Sequence, residues 1–488
     1  MEKMKISVAE GDGIGKEIMD AVLSIFDAAQ VPLDYDKIGM GKSIYEAGHG
    51  SGMTPEAKES VEKNGVLFKG PMETPKGKGI KSINVTARKV WNTYANRRHF
   101  RSINGVETVF SKAGIPIDIT IVRENIEDTY GGIEHFLTHD VALCRRFITR
   151  PGCEQVIRYS FELARKEGFT KVTCAHKANI MKITDGLFLE TFQKIALEYP
   201  EIEISDIIVD DLAMKLVRYP QQFQIIIMTN LQGDIISDLC AGLVGGLGFA
   251  PSTNIGDNIS IFEAVHGTAP DIAGKNIANP TSLLLSGIMM LRHLSMNEYA
   301  DKIENALLYT LEQGVHTGDF GDKNIPTSDT TQFANAIIKN LGKNPVVKPQ
   351  RKASNEVNKF HLPEKPKELI VRYSPKPVES VVGIDLFVEH TSQPQTLADT
   401  IQSFLPEGLT ISTITNRGTQ VWPSGSIFTE CVNQFCVRIE RNEKYQGELT
   451  RKYLMNLASK IAENTEVSST EVLLQIDGKK MFSLAQGQ

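Results

Sequence analysis

Apolar positions change period early in the chain. Ile6 to Ala9 reads as a strand, and Ile18, Val22, Ile25, Phe26 and Ala29 then recur at the spacing of one helical face. Farther on, Phe223 to Met228, interrupted only by Gln224, is an apolar run of strand length, as expected for a strand covered on both faces, and Ile207 to Val209 is strand-like. Strands alternating with amphipathic helices predict an α/β domain, and the alternation persists to about Leu341. Between Gly342 and Pro377, Pro345, Pro349, Pro363, Pro366, Pro375 and Pro377 interrupt any period, so this stretch reads as a semi-extended linker. It is basic, but it lacks the interleaved aromatics of a single-strand nucleic-acid binder. Past it, the pattern predicts a strand over Val381 to Glu389, a helix over Leu397 to Phe404, and strands over Leu409 to Ile414 and Phe435 to Ile439. A helix over Leu449 to Ala462 and a strand over Val472 to Ile476 complete a βαββαβ order, that of the split βαβ α+β domains. Without a catalytic cluster of its own, this region reads first as an assembly module and second as a ligand sensor.

Composition narrows the function classes. At 488 residues, 41% hydrophobic and 23% charged, the chain supports a large core and two to four domains. A formal net charge of -6 gives no field favouring nucleic acid or an anionic membrane, so an anionic ligand must be captured locally. The longest apolar stretches, near Phe223 to Met228 and Leu283 to Leu291, are too short to span a bilayer. A charged Met1 to Met4 with no following apolar run predicts a cytoplasmic protein, and six scattered cysteines without zinc spacing fit reduced thiols.

Four groups of residues carry candidate chemistry. Gly11-Asp12-Gly13-Ile14-Gly15 lies between a strand and a helix, with Asp34 beyond, but Lys16 stands where the dinucleotide fingerprint needs its third glycine. Ser82, Asn84, Arg88, Arg98, Arg123 and Tyr130 follow lysines 76, 78 and 81, and three arginine forks suit a di- or tricarboxylic acid. Surface pairing of those arginines with Glu124, Glu127 and Asp128 is the structural alternative. Asp234 and Asp238, spaced i, i+4 after an apolar strand, put two carboxylates on one helical face, and Asp210 and Asp211 end another strand-like run. Such residues serve either as helix caps or as ligands for Mg²⁺ or Mn²⁺. Finally, the run from Glu263 through Ala264, Val265, His266, Gly267, Thr268, Ala269, Pro270, Asp271 and Ile272 to Gly274, with Asn279 close behind, offers a loop able to wrap a nucleotide.

In this order the residues resemble the isocitrate dehydrogenases and their relatives, the metal-dependent decarboxylating β-hydroxyacid dehydrogenases. The resemblance covers about Lys5 to Leu341 and rests on GDGIG, Ser82-x-Asn84-x-x-x-Arg88, the Arg123-Glu124-Asn125-x-Glu127-Asp128-x-Tyr130 run, His176-Lys177, Gly233-Asp234 with Asp238, and HGTAPDI. The C-terminal region resembles the extra domain of a subset of longer bacterial isocitrate dehydrogenases. What this implies is a two-domain α/β fold, not a Rossmann domain, with a large domain from about 1–93 and 246–341 and a small one from about 94–245. A linker over 342–377 and an α+β domain over 378–488 would follow.

The resemblance also implies roles. Ser82, Asn84, Arg88, Arg98 and Arg123 would hold isocitrate, Tyr130 and Lys177 would move protons, and Asp210, Asp234 and Asp238 would bind Mg²⁺ or Mn²⁺. Lys177 and Asp210 would come from the neighbouring subunit of a homodimer, which the C-terminal domain could pair into a tetramer. Thr74, Glu263, His266, Gly267, Thr268, Ala269, Asp271, Ile272 and Asn279 would hold the nicotinamide cofactor. NADP-specific members commonly carry Lys-Tyr where this chain has Asp271-Ile272, so a carboxylate opposing a 2′-phosphate gives the expectation of NAD. The expected activity is therefore NAD-dependent oxidative decarboxylation of isocitrate to 2-oxoglutarate, with a homoisocitrate dehydrogenase or a non-catalytic regulatory subunit as alternatives. Arg97 and His99 depart from the family pattern beside Arg98.

Overall fold

The computed structural model describes residues 3–73, 82–322, 324–347, 360–363, 368–375 and 377–484. In chain order its strands are β1 (Met4–Ala9), β2 (Leu33–Lys37), β3 (Val66–Lys69), β4 (Ala95–Arg101), β5 (Asp118–Glu124), β6 (Glu134–Phe136), β7 (Ala142–Cys144), β8 (Lys171–His176), β9 (Glu203–Ile208), β10 (Ile225–Met228), β11 (Pro251–Ile255), β12 (Ser260–Ala264), β13 (Glu379–Glu389), β14 (Leu409–Asn416), β15 (Thr419–Trp422), β16 (Gln434–Arg441), β17 (Glu466–Ile476) and β18 (Lys479–Lys480). They belong to two compact units, Met1–Gly131 with Phe147–Ile370, and Gly132–Arg146 with Val371–Gln488.

The first unit is built on a 10-stranded sheet in the order β2-β1-β3-β12-β11-β4-β5-β10-β8-β9. Each flank is parallel, and β11 and β4 join the flanks by antiparallel pairing, so the two halves run in opposite directions. The apolar runs Val66 to Phe68 and Ile225 to Met228 are fully buried, as strands covered on both faces must be. The joining strand β4 differs. Its sequence alternates so that Asn96 and Arg98 face one side and Arg97 and His99 the other. Arg97 pairs with Glu167 at 2.6 Å and His99 with Asp118 at 2.7 Å, so the two family departures serve the face away from Arg98.

The GDGIG run is a packing device. Gly11 (φ +77°) and Gly13 (φ +59°) adopt left-handed conformations, and a Cβ on them would lie 2.2 Å from the Pro71 carbonyl oxygen and 2.0 Å from that of Thr268. This closeness lets the Ile14 N–H donate to the Thr268 carbonyl at 2.9 Å, which fixes the HGTAPDI loop against the helix Gly15–Ala28. The failed fingerprint thus reflects a glycine turn made for another loop.

The second unit has a six-stranded sheet, β15-β14-β16-β13-β17-β18. Its inner four strands keep the antiparallel split-βαβ order expected of the C-terminal region, and the short strands β15 and β18 extend both edges. Ile384, Leu386 and Val388 alternate along β13 towards Leu397, Ile401, Leu454 and Ile461 of the helices Pro394–Gln402 and Arg451–Ala462. On the opposite face Asp385 takes a bidentate pair from Arg438 at 2.8 and 2.7 Å. The β6–β7 hairpin joins this unit through Thr138 to Asn433 at 3.1 Å and Arg145 to Glu471 at 3.1 Å, a lone hairpin having too little core to stand by itself. Among the described residues no helix is long and apolar enough to cross a membrane.

One buried ion group ties β4 to two helices of the first unit. Glu304, on the helix Asn297–Glu312, takes Arg101 on one oxygen and Arg292 at 2.5 Å on the other. Burial would raise its carboxyl, but the two guanidinium charges outweigh burial and hold it at about 2. A depressed carboxyl stabilises the fold above its unfolded value, near 4.3, and loses that contribution as pH falls through the folded value. Glu304→Gln is therefore expected to lower stability at pH 7 by on the order of 2–4 kcal/mol, with the deficit shrinking between about pH 5 and 2. Urea midpoints measured across that range check this; a deficit independent of pH would contradict it.

Candidate active site

Three buried arginines meet where the strands of the sheet end. Arg88 stands on the helix Ile83–Val90, one turn beyond Asn84 on the same face, and Ser82 caps the helix by accepting the Val85 N–H at 3.4 Å. Arg88 donates to Glu263 at 2.9 Å, and Lys69, at the end of β3, reaches Glu263 at 2.5 Å and Asn84 at 2.8 Å. Parallel register sets Glu263 beside Lys69, so two cations share one buried carboxylate. Burial would raise Glu263, yet Lys69 and Arg88 hold it well below the usual carboxylate range.

Arg98 projects from β4 and donates through Nε to Asn96 at 3.0 Å and through Nη1 to Ser237 at 2.6 Å, and it approaches Asp234 at 3.4 Å and Asp238 at 3.5 Å. Burial, reinforced by the Arg123 charge, pulls its guanidinium down to about 10. Arg123, near the end of β5, gives Nε and Nη2 to Asn230 at 2.9 and 2.7 Å and Nη1 to Asp234, and its guanidinium lies 4.9 Å from the Tyr130 ring centre. Gly233 is needed there, because a Cβ would sit 2.6 Å from Arg123 Cγ. Tyr130 donates to Asp234 at 2.5 Å from the short turn Thr129–Gly131.

Asp234 and Asp238 share one face of the helix Asn230–Leu243, which opens directly after β10. Burial pushes both carboxyls up; at Asp234 the Arg123 and Arg98 charges prevail and lower it, whereas Asp238, with Asp234 beside it, stays raised. Asp210 lies in the first turn of the helix Val209–Arg218 and takes the Lys177 ammonium at 2.5 Å, away from Arg98 and Arg123. Among the described residues of a single chain no three His, Cys, Asp or Glu side chains cluster as a metal set. Asp234 and Asp238 nevertheless offer the hard oxygens Mg²⁺ and Mn²⁺ prefer, and a cation would relieve the cost of ionising Asp238.

Asn84, Arg88, Arg98, Ser252 and Glu263 share a cavity of about 100 Å³ with His266 and Gly267 of the HGTAPDI loop. Two buried nitrogens in it, Arg88 Nε and His266 Nε2, have no partner among the described residues, so a ligand with acceptor and donor atoms fits. The His266 Nδ1–H donates to the Gly267 carbonyl at 3.0 Å, and burial lowers its imidazole pKa, keeping Nε2 an acceptor near neutral pH. Thr268 is buried, Ala269 takes a left-handed φ of +39°, and Ile272 packs on the core. Asn279 accepts the Thr281 N–H at 3.0 Å where the helix Thr281–His293 begins, and donates to Asp319 at 3.0 Å. Both Glu263 oxygens are committed to Lys69, Arg88 and Asn254, so it steadies the arginines from the cavity wall. Thr74 and lysines 76, 78 and 81 lie outside the described residues.

Lys69, Asn96 and Asn254 were not singled out in the sequence. The first ends an apolar run and the other two alternate along polar-looking strands; a charge closing a buried strand was the available signal.

Residues 5–337 match the family model for isocitrate/isopropylmalate dehydrogenase, and residues 379–488 match that for the bacterial isocitrate dehydrogenase C-terminal domain. The chain belongs to the isocitrate/isopropylmalate dehydrogenase family. It is 45% identical to the isocitrate dehydrogenase [NADP] of Thermus thermophilus, over 99% of this chain and 96% of that one. It is 39% identical to the isocitrate dehydrogenase [NADP] of Rickettsia bellii, over 99% of each. The crystal structure of the TT0538 protein from Thermus thermophilus superposes with a TM-score of 0.91 at 43% identity, covering 100% of this chain and 96% of that one.

These full-length relatives are named for NADP and overturn the expectation of NAD. The physical reason lies in the turn Pro270–Ile272, where Asp271 is exposed. A hydrated carboxylate repels a phosphate by only about 1 kcal/mol at 4 Å, too little to decide cofactor choice, and the exposed Lys275 follows four residues later.

Gly233→Ala is expected to displace the Arg123 side chain and raise the Michaelis constant for a tricarboxylate substrate about tenfold with a loss of only a few degrees in melting temperature. Steady-state rates with a thermal melt check this; an unchanged constant would show that Arg123 does not depend on the glycine.

Proposed function

We propose that the protein oxidises and decarboxylates isocitrate to 2-oxoglutarate and CO₂ with reduction of NADP. The observation that carries the reading is the charge at the site. Lys69, Arg88, Arg98 and Arg123 outnumber Glu263, Asp234 and Asp238 by one, in surroundings where an uncompensated charge is costly. A tricarboxylate accompanied by a dication brings one negative charge and leaves none over.

Asp234 and Asp238, completed by Asp210 of a second copy, would hold Mg²⁺ or Mn²⁺. That ion would supply Lewis acidity at the substrate's 2-hydroxyl, and NADP the hydride acceptor at C2. The arginines grip and orient the three carboxylates, and the cavity wall of Glu263 and Asn84 fixes their angle. Lys177 Nζ of the second copy, as the neutral amine once Asp210 is drawn to the ion, would accept the 2-hydroxyl proton as hydride leaves C2, giving a β-keto acid. Loss of CO₂ leaves its electron pair at C3, and Tyr130 Oη delivers the proton there. One proton is taken and one given, so the reaction balances with a single hydride passed to the cofactor.

A shared site is supported by the exposed apolar side chains Met214, Val217, Leu231 and Ile235 on the two helices that carry Asp210 and Asp234. This reading makes the protein a homodimer at least, and its bacterial relatives support a cytoplasmic location.

Initial rates with isocitrate and Mn²⁺ test the reaction. The expected result is metal-dependent turnover preferring NADP over NAD and isocitrate over homoisocitrate; preference for homoisocitrate, or no turnover by the chain alone, would overturn it. Subunit sharing has its own test. Lys177→Met and Tyr130→Phe are each expected to lose at least about a hundredfold in turnover. A mixture refolded at equal amounts should recover about a quarter of wild-type activity, since half the dimers are hybrids with one intact site. Recovery of none would contradict sharing.

A further inference from the structure

Arg88 and Arg98 stand on different elements, a helix and a strand, yet a continuous line of buried polar side chains connects them. Arg88 donates to Glu263 Oε1 at 2.9 Å, and the same oxygen accepts Asn254 Nδ2 at 2.7 Å. Asn254 Oδ1 accepts from Asn96 Nδ2 at 2.9 Å and from Asn125 Nδ2 at 3.0 Å. Asn96 Oδ1 in turn accepts from Arg98 Nε at 3.0 Å. Asn254 and Asn96 are both 0% exposed.

The direction of every bond in this line is dictated by its ends. A carboxylate only accepts and a guanidinium only donates. Asn254 must therefore turn its amide nitrogen to Glu263 and its oxygen to Asn96, and Asn96 must turn its oxygen to Arg98. Neither amide can flip without setting like against like at three bonds. The register agrees, because Asn254 lies opposite Asn96 where antiparallel β11 and β4 join the two halves of the sheet. The third branch, Asn125, stands two residues after Arg123 and also donates to the Thr93 carbonyl at 2.8 Å.

We propose that Asn254 is a positioning residue for substrate capture: through Glu263 on one side and Asn96 on the other it sets the spacing and angle of Arg88 and Arg98. This rests on the isocitrate reading for the identity of the ligand. Asn254 is fully buried and does not line the cavity. Its loss leaves both arginines present but no longer held at the separation that two carboxylates of one molecule require, and misplacement by fractions of an ångström is expensive for bidentate pairs.

The test uses the full-length protein with Mg²⁺ and saturating NADP, in the wild type, Asn254→Ala, Asn254→Asp and the double variant Asn254→Asp/Glu263→Gln. Asn254→Ala is expected to raise the Michaelis constant for isocitrate about tenfold or more while that for NADP stays within about twofold. Asn254→Asp sets a carboxylate against Glu263 and is expected to do at least as much. The double variant gives that carboxylate a donor and keeps one negative charge beside Lys69 and Arg88, while Arg88 loses the oxygen it shared with Asn254; its constant for isocitrate should fall below that of Asn254→Asp without reaching the wild-type value. A residue that merely stabilises the sheet would lower the melting temperature and move both constants together, and the swap would rescue neither.

The inference is overturned if Asn254→Ala keeps the wild-type constant for isocitrate, if both constants rise in proportion, or if the double variant is no better than Asn254→Asp. Should the alanine variant fail to fold, the aspartate variant and its swap decide. A wild type inert towards isocitrate overturns the functional reading and this inference with it, whereas an active wild type with unaffected variants overturns the inference alone.

Discussion

Burying three guanidinium groups side by side is the constraint on which the site depends. Arg88, Arg98 and Arg123 are each at most 9% exposed, and Arg98 is brought down to about 10 by burial and by Arg123 next to it. Such a cluster is tolerable only if carboxylates and polar side chains meet it from several directions. The sheet provides them: Glu263 from β12, Asn96 from β4, and Asn230, Asp234 and Asp238 from the helix that follows β10. The reversal of strand direction at β11 and β4 brings these elements to one place. A wholly parallel sheet would send Arg98 and the strand ends along a different line.

The same constraint explains the glycines and the polar strands around the site. Gly233 is small because Arg123 passes against it, and the GDGIG glycines let the HGTAPDI loop close over the cavity that Arg88 and Arg98 line. Residues that look permissive in the sequence are steric conditions for holding charge away from water. The acidic turn after Arg123 belongs to this scheme as well. Asp128 accepts the Leu231 N–H at 3.0 Å and Glu127 accepts the Thr149 N–H at 2.7 Å, so two carboxylates sit at helix starts, where their charge is favoured.

How much of this was legible follows from the kind of signal each part carries. The helix Asn230–Leu243 could be read because an apolar strand and a spaced aspartate pair announce it, and the C-terminal elements because strand and helix periods alternate cleanly. Their ends were less sharp: β17 begins at Glu466, six residues before the predicted strand, since its early residues are polar and partly exposed. The strand β4 was hidden, because Asn96, Arg97, Arg98 and His99 give no apolar alternation and only tertiary pairing makes them a buried strand. Lys69 and Asn254 were hidden for the same reason, Glu263 lying far off in the chain from the one and Asn96 from the other. Cofactor choice failed differently, because the Asp271 argument weighed only the sign of the charge and not its exposure to solvent.

The central claim is that the arginine cluster is a tricarboxylate trap, with the acids beside it holding a metal ion. A crystal structure with isocitrate and Mn²⁺, located by its anomalous signal, addresses this most directly. The account predicts isocitrate carboxylates on Arg88, Arg98 and Arg123, with Asp234 and Asp238 turned from the arginines to the manganese and joined there by Asp210 of a second copy. Isocitrate bound elsewhere, or arginines still paired with Asp234 while the substrate is present, would contradict it.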